Sequence, residues 1–126
     1  MRDPHDDLVH GFAEACRNRD TVALRDTLDA DVIAVTDSGG LLPAVPGLVH
    51  GARDVARLAA VLLCESGGTG LTELTELSVE AVNGRPGLAL RRTGRAVAVV
   101  GIDGSGTGIT ALWIVLNPDK LCGWHR

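Results

Sequence analysis

The chain has 126 residues, 45% of them hydrophobic, and a formal charge of −4. A chain of this size buries about two-thirds of the surface it exposes when unfolded, so a single packed domain over 1–126 is expected and disorder is excluded. The acidic balance speaks against a phosphate-backbone partner, which needs Lys and Arg clustered on one face, and no apolar run approaches the roughly 18 residues of a membrane span.

The first segment, Met1-Arg2-Asp3-Pro4-His5-Asp6-Asp7, is too acidic for a signal peptide, so a cytoplasmic location is expected. Leu8, Phe12 and Cys16, with Val9 and Ala13 beside them, recur at helical spacing and predict a helix over Asp6–Arg19. Asp20 suits the N-cap of a short second helix whose apolar face carries Leu24 and Leu28. Asp31–Asp37 is short and β-branched, hence a strand. The stretch from Ser38 to Leu48 holds Gly39, Gly40, Pro43, Pro46 and Gly47 and reads as a loop. From Ala52 to Glu65, Val55, Leu58, Ala59, Leu62 and Leu63 form a stripe opposite Arg53, Asp54 and Arg57, the mark of an amphipathic helix.

After Gly67-Gly68-Thr69-Gly70 the period falls to two. Leu77, Val79 and Ala81 alternate with Ser78 and Glu80, and Asn83-Gly84 is a hairpin signal. Gly87–Arg92 pairs back, Thr93-Gly94 turns, and Ala96–Ile102 forms a nearly all-apolar strand. Gly104-Ser105-Gly106-Thr107-Gly108 separates two strands, lacks a following helix to hold phosphate, and reads as a hairpin into Ile109–Leu116. The order is helix, helix, strand, helix, then a four-strand meander, for which an α+β cone is the economical packing.

Cys16, Cys64 and Cys122 show no metal-ligand or disulfide spacing; the first two occupy apolar helical positions and read as inert buried thiols. Arg85, Arg91, Arg92 and Arg95 crowd one hairpin, but Arg91 and Arg92 must face opposite sides of their strand. The hairpin is expected to be solvated, with an acidic protein as its sharper reading.

Asp37-Ser38-Gly39-Gly40, Val49-His50-Gly51 and Asn117-Pro118-Asp119-Lys120-Leu121, in that order, resemble the C-terminal SnoaL-like domain of one group of extracytoplasmic-function sigma factors. The resemblance covers roughly residues 8 to 124. It implies the NTF2-like (SnoaL-like) cone: a curved, mostly antiparallel sheet packed against three helices from the N-terminal half, with a pocket between the concave face and the helices. It nominates Asp37, His50, Trp113, Asn117 and Asp119 for that pocket's mouth or floor.

Each of these residues has a plainer reading. Asp37 suits a turn through Ser38-Gly39-Gly40, and His50 a partly exposed position beside a helix start. Trp113 suits the core, and Asn117 and Asp119 a clamp on a final helical turn in which Asp119 and Lys120 point apart.

Absences narrow the chemistry. The isomerases of this fold hold an oxyanion with a tyrosine and a protonated aspartic acid, whereas this chain has no tyrosine and no carboxylate over 95–102. The same strand lacks the Arg and Asp of the limonene-type epoxide hydrolases. The sigma factors carry two further regions that this sequence does not contain. The expectation is therefore a stand-alone module, without metal or cofactor, that binds a small apolar molecule or a protein such as a sigma factor or RNA polymerase. It is expected to form a homodimer. One alternative is a small enzyme of the polyketide cyclase or isomerase type, with Asp37, His50 or Asp119 as acid-base; another is a dimerisation module alone.

Overall fold

The computed structural model describes residues 4–37, 47–64, 75–82, 84–92, 94–105, 108–121 and 123. Helix α1 (Pro4–Arg17) opens on a proline, which suits a first helical position, and buries Val9, Phe12, Ala13 and Cys16. Helix α2 (Thr21–Asp26) is capped by Asp20, whose carboxylate accepts from the Ala23 amide at 3.0 Å.

Leu28, expected on that helix, instead begins strand β1 (Leu28–Asp37). Its pairing with Ile109, together with the bond from Ile109 N to Thr27 O at 2.9 Å, overrides the helical spacing. The short strand β2 (Leu48–His50) follows; it was not expected, and begins at the last residue of the expected loop. Gly51 then turns into α3 (Ala52–Ala59) with φ of 99°, a left-handed conformation that a side chain would strain. The apolar stripe continues past α3, but the helix widens to a π-helical turn at Ala60–Cys64.

Strands β3 (Thr75–Val82), β4 (Arg85–Arg92), β5 (Arg95–Ser105) and β6 (Gly108–Val115) form the expected meander. Among the described residues the sheet has six strands in the order β2-β1-β6-β5-β4-β3, parallel between β1 and β6 and antiparallel elsewhere. A final turn, α4 (Pro118–Leu121), has Asn117 at its N-cap position, its carbonyl accepting from Lys120 N at 3.0 Å.

Alternation along the strands divides the sheet cleanly. Val32, Ala34, Leu88, Leu90, Val100, Leu112 and Ile114 face the helices and pack on Phe12, Leu24 and Val55. The described side chains on this face form one continuous apolar core between sheet and helices. On the opposite, outer face a smaller cluster of Ala89, Ala96 and Val99 is covered by Leu121 from α4.

Arg91 also belongs to the outer face, and it corrects the expected solvated hairpin: it is 3% exposed. Its Nη2 donates to Glu80 Oε1 at 2.9 Å, Nη1 donates to the other carboxylate oxygen, and Ser78 joins the network. The hydrogen bond to Glu80 holds the Arg91 pKa above its usual value, against the opposing effect of burial.

Candidate functional site

The outer face is where most of the candidate residues lie. Strand pairing sets Leu48, Val35, Trp113 and Gly101 side by side across four strands. The next row is His50, Ile33, Ala111 and Asp103. Trp113 is 60% exposed, Leu48 65% and Ile33 39%. The expectation of Trp113 as a core anchor or a wall of the cone's pocket is corrected, because its neighbours Leu112 and Ile114 take the inward positions. Gly101 lies opposite, where a Cβ would stand 3.5 Å from that of Trp113, an ordinary contact.

Beside the indole lies an open depression of about 550 Å³, bordered by Val82, Arg85, Gly101, Asp103, Trp113 and Val115. Arg85 Nη1 donates to Asp103 Oδ1 at 2.6 Å, forming a charged wall beside an apolar floor.

Asp37 follows along the same face, in register with Val115. Its Oδ2 accepts from Lys120 Nζ at 2.5 Å, and its backbone oxygen accepts from Leu116 N at 2.7 Å. The expected turn bonds to Ser38, Gly39 and Gly40 lie outside the described residues. Asn117 is half-buried and immediately precedes α4, the final helical turn on which a clamp was expected. Asp119 is placed on α4 by its backbone, and its side chain lies outside the described residues. His50 ends β2, with Nε2 3.9 Å from Asp31 Oδ1 and a side chain 66% exposed. The fold therefore brings Asp37, Asn117 and the Asp119 backbone to one end of the outer face, with Trp113 along the strand and His50 across the sheet.

Among the described candidate acid-base groups, the side chains of Asp37 and His50 are 27% and 66% exposed. Arg91 is the buried charged residue among those described, and it sits on the outer face. On the helix side, Thr36 Oγ1 is buried without a hydrogen-bond partner, in register with the core residue Ile114. Among the described residues no group of three or more His, Cys, Asp or Glu could hold a metal ion, and no helix is long and apolar enough to cross a membrane.

Sequence reasoning missed the tie between Asp37 and Lys120, which joins the two ends of the sheet's parallel pair. It also missed the apolar row around Trp113. The signal for that row was present in the alternation of Ile33, Val35 and Asp37, which puts all three on one face.

No protein-family model matches the sequence, and no curated protein matches it. Solved structures do. An NTF2-like protein of unknown function from Burkholderia pseudomallei K96243 superposes with a TM-score of 0.63 at 13% identity, covering 99% of each chain. The extracytoplasmic function sigma factor SigJ of Mycobacterium tuberculosis gives 0.62 at 23% identity. That match covers 96% of this chain and 45% of SigJ, so this chain spans less than half of that protein's length. A putative polyketide cyclase from Xanthomonas campestris pv. campestris gives 0.57 at 15% identity, with 95% of each chain covered. At these identities the likeness establishes the fold.

Proposed function

We propose that this NTF2-like chain is a binding module that engages a protein partner through the outer face of its sheet, in the setting of transcriptional control. The observation that carries this reading is the row of Leu48, Ile33 and Trp113, three large apolar side chains left open on contiguous strands. Exposed apolar surface of this kind, rimmed by charges, is characteristic of interaction sites, and a half-open tryptophan is a common anchor. The apolar packing of the described side chains between sheet and helices favours this face over a small apolar molecule held there. Likeness to an extracytoplasmic function sigma factor supplies the transcriptional setting, by fold analogy.

The test is binding of labelled protein to core RNA polymerase and to sigma subunits of its own host. Micromolar or tighter binding that Trp113→Asp weakens at least about tenfold supports the reading. Binding by neither target ends the transcriptional version.

A second reading, a homodimer through the same face, draws on the Arg85–Asp103 pair beside the apolar row. A two-fold axis would set each arginine near the partner copy's aspartate. Sedimentation at rising concentration checks it: a wild type that associates and a Trp113→Asp variant that does not would support the dimer, and a wild type that stays monomeric would exclude it.

A further inference from the structure

A second surface stands apart from the sheet face. Helix α2, α3 and the π-helical turn enclose a groove of about 510 Å³, lined by Val22, Arg25, Arg53, Ala56, Arg57 and Val61. Two features make it unusual for this chain. Val22 and Val61 are 68% and 54% exposed, and with Ile33, Leu48 and Trp113 they are the large apolar side chains left open among the described residues. The three arginines are exposed, and none has an ion-pair partner among the described residues. Elsewhere Arg17, Arg85 and Arg91 are each paired, whereas Arg19 and Arg95, also exposed, lie singly on other parts of the chain. Asp26 is the acidic group on the lining, so the groove carries local positive charge on a protein whose overall charge is −4.

We propose that this groove binds an acidic peptide segment, its carboxylates taken by Arg25, Arg53 and Arg57 and an apolar side chain seated between Val22 and Val61. Arg53 and Arg57 are one helical turn apart on α3, about 6 Å along the axis, so successive carboxylates of one segment reach both. Each guanidinium can take a carboxylate through two parallel hydrogen bonds, which fixes direction as well as charge. The exposed valines over the small Ala56 and Ala60 give the site an apolar component that a free inorganic anion would not use. Three arginines on a net acidic protein are too few for a nucleic-acid backbone, which favours a peptide. Of the hairpin arginines for which an acidic partner was expected, Arg91 and Arg85 are already engaged with Glu80 and Asp103, which leaves them less available than the groove's three. The site does not depend on the sheet-face reading.

The experiment is a backbone-amide NMR titration of the full chain with an N-acetylated Glu-Glu-Leu-Glu-Leu peptide. Shifts confined to residues 21–26 and 53–61 are expected. The triple variant R25Q/R53Q/R57Q should weaken binding at least about tenfold, as should raising salt from about 50 to 500 mM. Val22→Glu, on the opposite wall, should weaken it independently, whereas Trp113→Asp should leave it unchanged and so separates this site from the sheet face. No shifts at roughly 1 mM peptide, shifts centred elsewhere, or equal binding by the triple variant would overturn the proposal. So would pyrophosphate binding as tightly as the peptide, which would mark a small-anion site.

Discussion

Lys120 Nζ sits 2.5 Å from Asp37 Oδ2, tying the end of β1 to α4 across 83 positions of sequence. The lysine is 62% exposed and the aspartate 27%, so water screens the pair and its contribution is small. Asp37→Asn should lower stability by about 1 kcal/mol or less, read from urea unfolding, and Lys120→Met should cost about the same. A double variant no worse than either single would show that the two act as one contact. If Asp37→Asn instead leaves stability untouched while abolishing a cyclase-type turnover, Asp37 is an acid-base and the enzyme reading replaces the binding module.

The adjacent residues Leu112 and Trp113 should respond in opposite ways. Leu112 is 1% exposed in the core, so Leu112→Ala should cost about 2–5 kcal/mol. Trp113→Ser removes a larger side chain from the open face and should cost well under half of that, measured by thermal unfolding at matched protein concentration. A comparable loss at both positions would place Trp113 in a buried interface, as in a dimer.

Breaking the Arg91–Glu80 pair should be severe. Arg91→Met strands the Glu80 carboxylate on a largely covered surface, at a cost of about 3 kcal/mol. Restoring neutrality with Glu80→Leu in the same chain should recover most of that loss, because the leftover charge, more than the missing bond, is the damage. Chemical denaturation of the two single variants and the double separates these contributions.

Gly87 marks a close approach between strands. A Cβ there would fall 2.4 Å from the Val100 carbonyl oxygen and 2.7 Å from a Val82 methyl. The carbonyl belongs to a paired strand and cannot swing aside. Gly87→Ala should therefore destabilise by about 1–3 kcal/mol and disturb the β4–β5 pairing, visible as amide shifts around Val100.

The sequence carried the helices, the meander and the NTF2-like cone, since apolar spacing switches from helical to alternating and turn residues stand between strands. β2 stayed hidden because three residues cannot display a period, and they followed a Gly- and Pro-rich stretch. The parallel placement of β1 against β6 is a tertiary choice that no local pattern encodes. At the site, residue types pointed to Asn117 and Asp119 as a clamp and to Asp37 as a turn residue, but a partner of Asp37 is a lysine on α4, just beyond the neighbouring strand β6. Trp113 misled because tryptophan is mostly buried on average, and only the facing of Leu112 and Ile114 reveals its outward position.

The parallel pairing of β1 with β6 has a consequence for synthesis. β1 can settle into the sheet only once the last strand exists, yet it leaves the ribosome first; at ordinary elongation rates the delay is on the order of ten seconds. Throughout that interval Ile33 and Val35 belong to a strand whose one early neighbour is the three-residue β2. Such a nascent chain presents an unpaired, β-branched edge, the form most prone to joining a neighbouring chain. Yield of folded protein should then depend on how quickly the meander arrives, so codon choice downstream of β1 becomes a determinant of aggregation in the cell.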